Sequence, residues 1–108
     1  MYNTTMAIKV FEGSKSQTKK EEKLEEPKDY SVILLNDDYT TREFVVEILK
    51  LIFHKSHEEA TKIMLYVHRK GRGAAGIYTW DIALTKVNQV HEMAKQYEFP
   101  LRCIVEEA

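Results

Sequence analysis

Cysteine is almost absent from this sequence. Cys103 is the one cysteine in 108 residues, so neither a disulfide nor a Cys-rich zinc site can be built within the chain. An excess of one charge is missing too. The 16 Lys and Arg residues face 17 Asp and Glu, a formal net charge of −1, which supplies no basic field for a nucleic-acid backbone or an anionic membrane. No apolar run approaches the length of a membrane span, and the N-terminus lacks an apolar segment followed by a small-residue cleavage site. These absences predict a soluble, unexported protein of a reducing cytoplasm that binds neither nucleic acid nor membrane. What is present, 44% hydrophobic residues, suffices for one small core and is too little for two.

Composition divides the chain near Tyr30. Residues 13 to 29 are almost entirely Lys, Glu, Ser, Thr and Gln, with Pro27 near the end, so residues 1–29 are expected to form a flexible tail. Met6 to Phe11 alternates weakly, enough for a transient strand but with no turn signal for a hairpin. The folded domain is expected over residues 30–108. Tyr30 to Leu35 is β-rich and too short for a helix, which predicts a first strand. Thr40-Thr41-Arg42-Glu43 reads as a capping box in which the Thr40 hydroxyl meets the Glu43 amide. The first helix then runs to about Phe53. Its apolar residues Phe44, Val45, Ile48, Leu49, Leu51 and Ile52 cover more than one face, so the helix should lie between the sheet and something else.

Ser56-His57-Glu58-Glu59 is a second capping box, and Ala60, Ile63, Met64 and Val67 form a single stripe along the helix it starts. Gly71 is a natural end for that helix. The letters Gly71-Arg72-Gly73-Ala74-Ala75-Gly76 match a dinucleotide fingerprint, but they follow a helix and precede a strand, the reverse of what phosphate binding needs. A second strand is expected over residues 76–79, then a third helix capped by Thr79 with the stripe Ala83, Val87, Val90, Ala94 and Tyr97. Pro100 ends it, and Leu101 to Val105 makes a third strand. The predicted fold is an α/β, or α+β, two-layer sandwich of order β-α-α-β-α-β, with a small three-stranded antiparallel sheet and three helices.

Function is most legible at Asn36-Asp37-Asp38, where an apolar strand stops at three acceptor-rich side chains and a helix begins. One reading is a turn whose side chains bond their own backbone. The other is a site for a small cation or an ammonium group, closed by His68 from the end of the second helix. His68 equally suits a helix-end histidine facing the last carbonyls. Met64 and Val67 suit either core or a pocket mouth. The four histidines form no HExxH and have no cysteine partner, so no metal or other cofactor is expected. A hydrolase using His68 with Asp38 lacks a nucleophile and an oxyanion site.

At Leu34-Leu35-Asn36-Asp37-Asp38-Tyr39-Thr40, with Glu43-Phe44-Val45, Ala60-Thr61, Met64, Val67-His68, Gly71, Thr85-Lys86-Val87 and Pro100-Leu101, the chain resembles the ClpS adaptor family over residues 30 to 106. The resemblance implies a monomeric, cytosolic, non-enzymatic adaptor. Such an adaptor captures proteins beginning with Leu, Phe, Tyr or Trp and hands them to a ClpA-type Clp ATPase, docking on its N-terminal domain. By the same resemblance Asn36, Asp38 and His68, with Asp37 beside them, hold the substrate's α-amino group. Leu34, Leu35, Thr40, Val45, Met64, Val67 and Leu101 form the pocket wall. Two positions depart from the family. Arg42 stands where a methionine usually guards the pocket mouth, which predicts a looser gate. In the ATPase-facing stretch Asp81 and Leu84 stand where Glu is usual, while Lys86 is retained, so docking is assigned to Asp81 and Lys86. The alternative is a module that docks on a Clp ATPase and modulates or inhibits it without binding N-terminal residues.

Overall fold

Strand β1, Tyr30–Leu35, is the centre of the molecule. The computed structural model describes residues 28–108; the expected tail and the Met6 to Phe11 alternation lie outside them, apart from Lys28 and Asp29. Those two already meet the far end of the domain. Lys28 pairs with Glu107 at 3.1 Å, and the Ala108 amide donates to the Asp29 carbonyl at 3.0 Å.

The other elements follow the expected order: α1 (Arg42–Leu51), α2 (His57–Lys70), β2 (Arg72–Tyr78), α3 (Trp80–Gln96) and β3 (Arg102–Glu107). The sheet is antiparallel with strand order β2-β1-β3. A central position explains why β1 is apolar on both faces rather than alternating. Val32 and Leu34 point into the helical layer and are fully buried. Ile33, on the opposite face, is only 7% exposed. In register it lies beneath the diagonal from Arg72 on β2 to Glu106 on β3, whose ion pair crosses it.

The second strand begins four residues earlier than its letters suggest. Gly73, Ala74, Ala75 and Gly76 have low strand propensity, yet pairing with β1 overrides it. Small residues are needed here because α2 presses on β2: a Cβ on Gly73 would lie 2.9 Å from Tyr66 and Val67 side-chain carbons. Between Val32↔Gly76 and Ile33↔Ala74 the register slips, leaving Ala75 as an extra, buried residue.

Helix α1 is capped by Thr41, not Thr40: the Phe44 amide donates to Thr41 Oγ1 at 3.1 Å. The Thr40 hydroxyl is drawn to Asp37 instead. The helix buries Phe44, Val45, Val46, Ile48 and Leu49 but leaves Leu51 57% exposed. Its apolar surface is thus only partly covered by the described residues. His54 takes a left-handed conformation at φ 59° and turns the chain towards α2.

The predicted Ser56 cap is present, accepting from the Glu59 amide at 3.1 Å. Gly71, at φ 92°, ends α2 and donates its N–H to the Val67 carbonyl at 2.8 Å. In α3 the small residues Ala83 and Ala94 flank Val90 on the face turned to the sheet. Thr79 precedes the helix without a side-chain cap bond. Tyr97 does not complete the stripe. The helix stops at Gln96 and Glu98 turns left-handed at φ 64°, so Tyr97 is 60% exposed while Phe99 enters the core against Phe44, ring centroids 4.7 Å apart.

Candidate functional site

Both neighbours of β1 run antiparallel to it, so the end of β1 meets the starts of β2 and β3. Leu35 pairs with Arg72 and with Arg102. That topology brings three distant segments to one corner: the turn after β1, the last turn of α2 just before β2, and Leu101 just before β3. The Asn36 amide donates to the Gly71 carbonyl at 2.9 Å and ties the first two together.

Within the turn, Asp37 folds back on its own backbone. Its Oδ1 accepts from the amides of Tyr39 and Thr40 at 2.8 and 2.7 Å, and its Oδ2 from the Thr40 hydroxyl at 2.8 Å. The self-bonding turn therefore exists, but it uses one side chain of the three. Among the described residues no hydrogen bond or ion pair engages the Asn36 side chain or the Asp38 carboxylate, and both residues are exposed. Thr41 then starts α1 and directs Arg42, in its first turn, towards α2. The Arg42 guanidinium meets His68 Nε2 at 2.9 Å.

These groups rim a cavity of about 400 Å³. Asn36, Asp37, Asp38 and His68 line it, as do Leu34, Leu35, Thr40, Arg42, Val45, Met64, Val67 and Leu101. Every residue expected at the amine or the pocket wall thus borders one space. The lining also includes Tyr39, Thr41 and Glu43, which the sequence reading left out; their only signal was adjacency to the turn. The wall combines buried Leu34, Val45, Met64, Val67 and Leu101 with a mouth of exposed polar groups. Such a hole takes an apolar side chain, and such a mouth takes a donor-rich cation. Among the described residues no group of three or more His, Cys, Asp and Glu is arranged to hold a metal ion.

Asp81 and Lys86 lie elsewhere. Tyr30 pairs with Tyr78, so α3 begins at the opposite end of β1 from the cavity, a strand length of about 17 Å away. Asp81 is exposed, beside exposed Trp80, Ile82 and Leu84. Lys86 is held within the domain. Its ammonium donates to the Ile52 carbonyl at 2.7 Å and sits 5.6 Å from the Tyr78 ring centroid. Burial raises the Tyr78 hydroxyl above its ordinary 10.0.

A second histidine serves the fold. His91 Nε2 accepts the Cys103 amide at 3.1 Å, and burial, followed by the charge of Arg102, lowers His91 below the ordinary 6.5. The Cys103 thiol is pushed up to about 12 by burial, so it is an inert core group.

A two-layer domain with an apolar, polar-rimmed cavity at the end of its central strand has the form of a small binding domain. The family described as "ATP-dependent Clp protease adaptor protein ClpS" matches residues 25–104. The ATP-dependent Clp protease adapter protein ClpS of Syntrophus aciditrophicus is 55% identical over 107 residues, covering 99% of each chain. That of Acetivibrio thermocellus is 55% identical over 96 residues, 87% of this chain and 97% of its own. Among solved structures, Agrobacterium tumefaciens ClpS2 bound to L-phenylalaninamide superposes with a TM-score of 0.74 at 40% identity, covering 77% of this chain and 100% of that one. The chain belongs to the ClpS family of Clp protease adaptors, and it is an adaptor and not an enzyme. Among the described residues no helix is long and apolar enough to cross a membrane.

Proposed function

We propose that the cavity receives the first residue of a protein chain and that the domain presents the captured chain to a Clp ATPase. The unengaged acceptors of Asn36 and Asp38 at the mouth of an apolar hole are the observation that carries this reading. An α-ammonium has three N–H donors and a full charge, and only a chain terminus offers it next to a side chain at fixed distance. Asn36, Asp38 and His68 accept those donors; Asp37 holds the turn and adds negative charge. Leu35, Val45, Met64, Val67 and Leu101 enclose the side chain. L-Phenylalaninamide, the ligand of the Agrobacterium relative, carries the same two features.

Enclosing one large apolar side chain contributes about 1.5–3 kcal/mol, and each hydrogen bond to a charged group about 1.5–3 kcal/mol, before association entropy is subtracted. Affinity is therefore modest. Docking on the N-terminal domain of a ClpA-type ATPase is assigned to the exposed start of α3 around Asp81, with Lys86 behind it. That surface is far enough from the cavity for cargo and ATPase to be held together.

Titrating peptides that differ only in their first residue tests the reading. Phe, Leu, Tyr and Trp should bind, and Asp or Gly should not; equal binding of all would remove the pocket from the account. A domain that only docks, without taking N-terminal residues, is favoured by one observation, the Arg42 bond that already occupies His68. In that case none of the peptides binds while the ATPase still does.

A further inference from the structure

We infer that Arg42 gives this adaptor a preference for chains whose second residue is acidic. The inference rests on the N-terminal residue reading of the cavity and extends it to the next position along the bound chain. Its basis is the 2.9 Å contact between Arg42 Nη2 and His68 Nε2, which bridges the first turn of α1 and the last turn of α2 across the cavity mouth. A guanidinium is a donor only, so this contact makes Nε2 the acceptor and puts the ring proton on Nδ1. A neutral imidazole has one such lone pair. An α-ammonium that bonds His68 must therefore displace the guanidinium from the same atom, and Arg42 holds the place of the substrate's own cation.

Among the described residues no carboxylate forms an ion pair with Arg42, and both Arg42 and His68 are exposed. Once displaced, the guanidinium keeps its charge and its planar set of donors, and its stem still starts from the helix at the cavity mouth. Successive Cα atoms are about 3.8 Å apart, so the second residue of a bound chain emerges beside the displaced group. A carboxylate there matches it in charge and in geometry and replaces the bond it gave up. A lysine there meets a like charge. Selectivity at the second residue thus comes from the residue that also contests the first.

Fluorescence anisotropy on the full chain at low salt tests this, using labelled peptides beginning Phe-Glu, Phe-Gln and Phe-Lys with an acetylated Phe-Glu control. The natural protein should bind Glu over Gln over Lys. The Glu-to-Gln step should be roughly two- to fivefold, the size of an exposed ion pair, and should shrink as salt is raised. Arg42→Lys should keep the order and Arg42→Met should lose it. Absence of any order in the natural protein, or the same order in Arg42→Met, overturns the inference while leaving the pocket reading intact. If no free-amine peptide outbinds the acetylated control, the pocket reading falls and the inference with it.

Discussion

At the scale of single residues, the same three letters at the turn do two different jobs. Asp37 accepts three hydrogen bonds from Tyr39 and Thr40, while Asn36 and Asp38 keep their side chains unengaged among the described residues. Asp37→Ala should therefore cost about 1–3 kcal/mol of stability, measured by urea unfolding, and should weaken peptide binding because the turn that aims its neighbours relaxes. His68→Ala acts on binding alone, since the residue is exposed; a loss of about tenfold or more in affinity for a Phe peptide is expected. Neither the division of labour at the turn nor the Arg42–His68 contact was legible in the sequence. The capping-box letters point to Thr40, but the Asp37 carboxylate holds the Thr40 hydroxyl and the cap falls to Thr41. Arg42 and His68 stand 26 positions apart and meet through the packing of two helices.

His91 belongs to the same scale and affects stability. Its folded state is held neutral by burial and by Arg102, with its proton affinity lowered from 6.5, while the unfolded chain protonates at that ordinary value. The stability this contributes is present above about pH 6.5 and is lost as pH falls through the lower, folded value. Denaturation midpoints should drop as pH is lowered from above the ordinary 6.5, and His91→Gln should flatten that drop.

Elements were more legible than contacts. The order of strands and helices, the Ser56 cap and the Gly71 stop follow from letters that act locally, through periodicity and capping. Departures arise where a neighbour overrules the local preference. β2 starts at Arg72 because β1 supplies a partner and α2 demands small residues beneath Tyr66 and Val67. Gly73→Val should therefore cost more than the usual surface change, about 1–3 kcal/mol by thermal or urea unfolding, since its branched side chain meets α2 directly. Tyr97 kept the spacing of the α3 stripe but lies past the last helical turn, where the spacing no longer governs direction.

For the whole molecule, β1 separates two surfaces: the cavity at its end and the start of α3 at its beginning. On the proposed function, this arrangement lets capture and docking vary independently. The described domain closes on itself through Lys28–Glu107 and Asp29–Ala108, and described residues supply both the apolar wall and the polar mouth of the cavity. A chain starting at Pro27 should bind Phe peptides as the full chain does and still dock on the ATPase, but fail to promote degradation of a model substrate. Unimpaired degradation would show that the first 26 residues are dispensable for delivery.

All of this depends on the cavity recognising a free chain terminus rather than an apolar side chain alone. The most direct measurement is calorimetric titration of the full chain with one Phe-initiated peptide and its N-acetylated twin, which differ only in the ammonium. Binding of the free peptide with at least about a hundredfold loss on acetylation, two or more charged hydrogen bonds, is the predicted result. Equal affinity for the two peptides would contradict it, because Asn36, Asp38 and His68 would then be bystanders at the mouth of an ordinary hydrophobic hole.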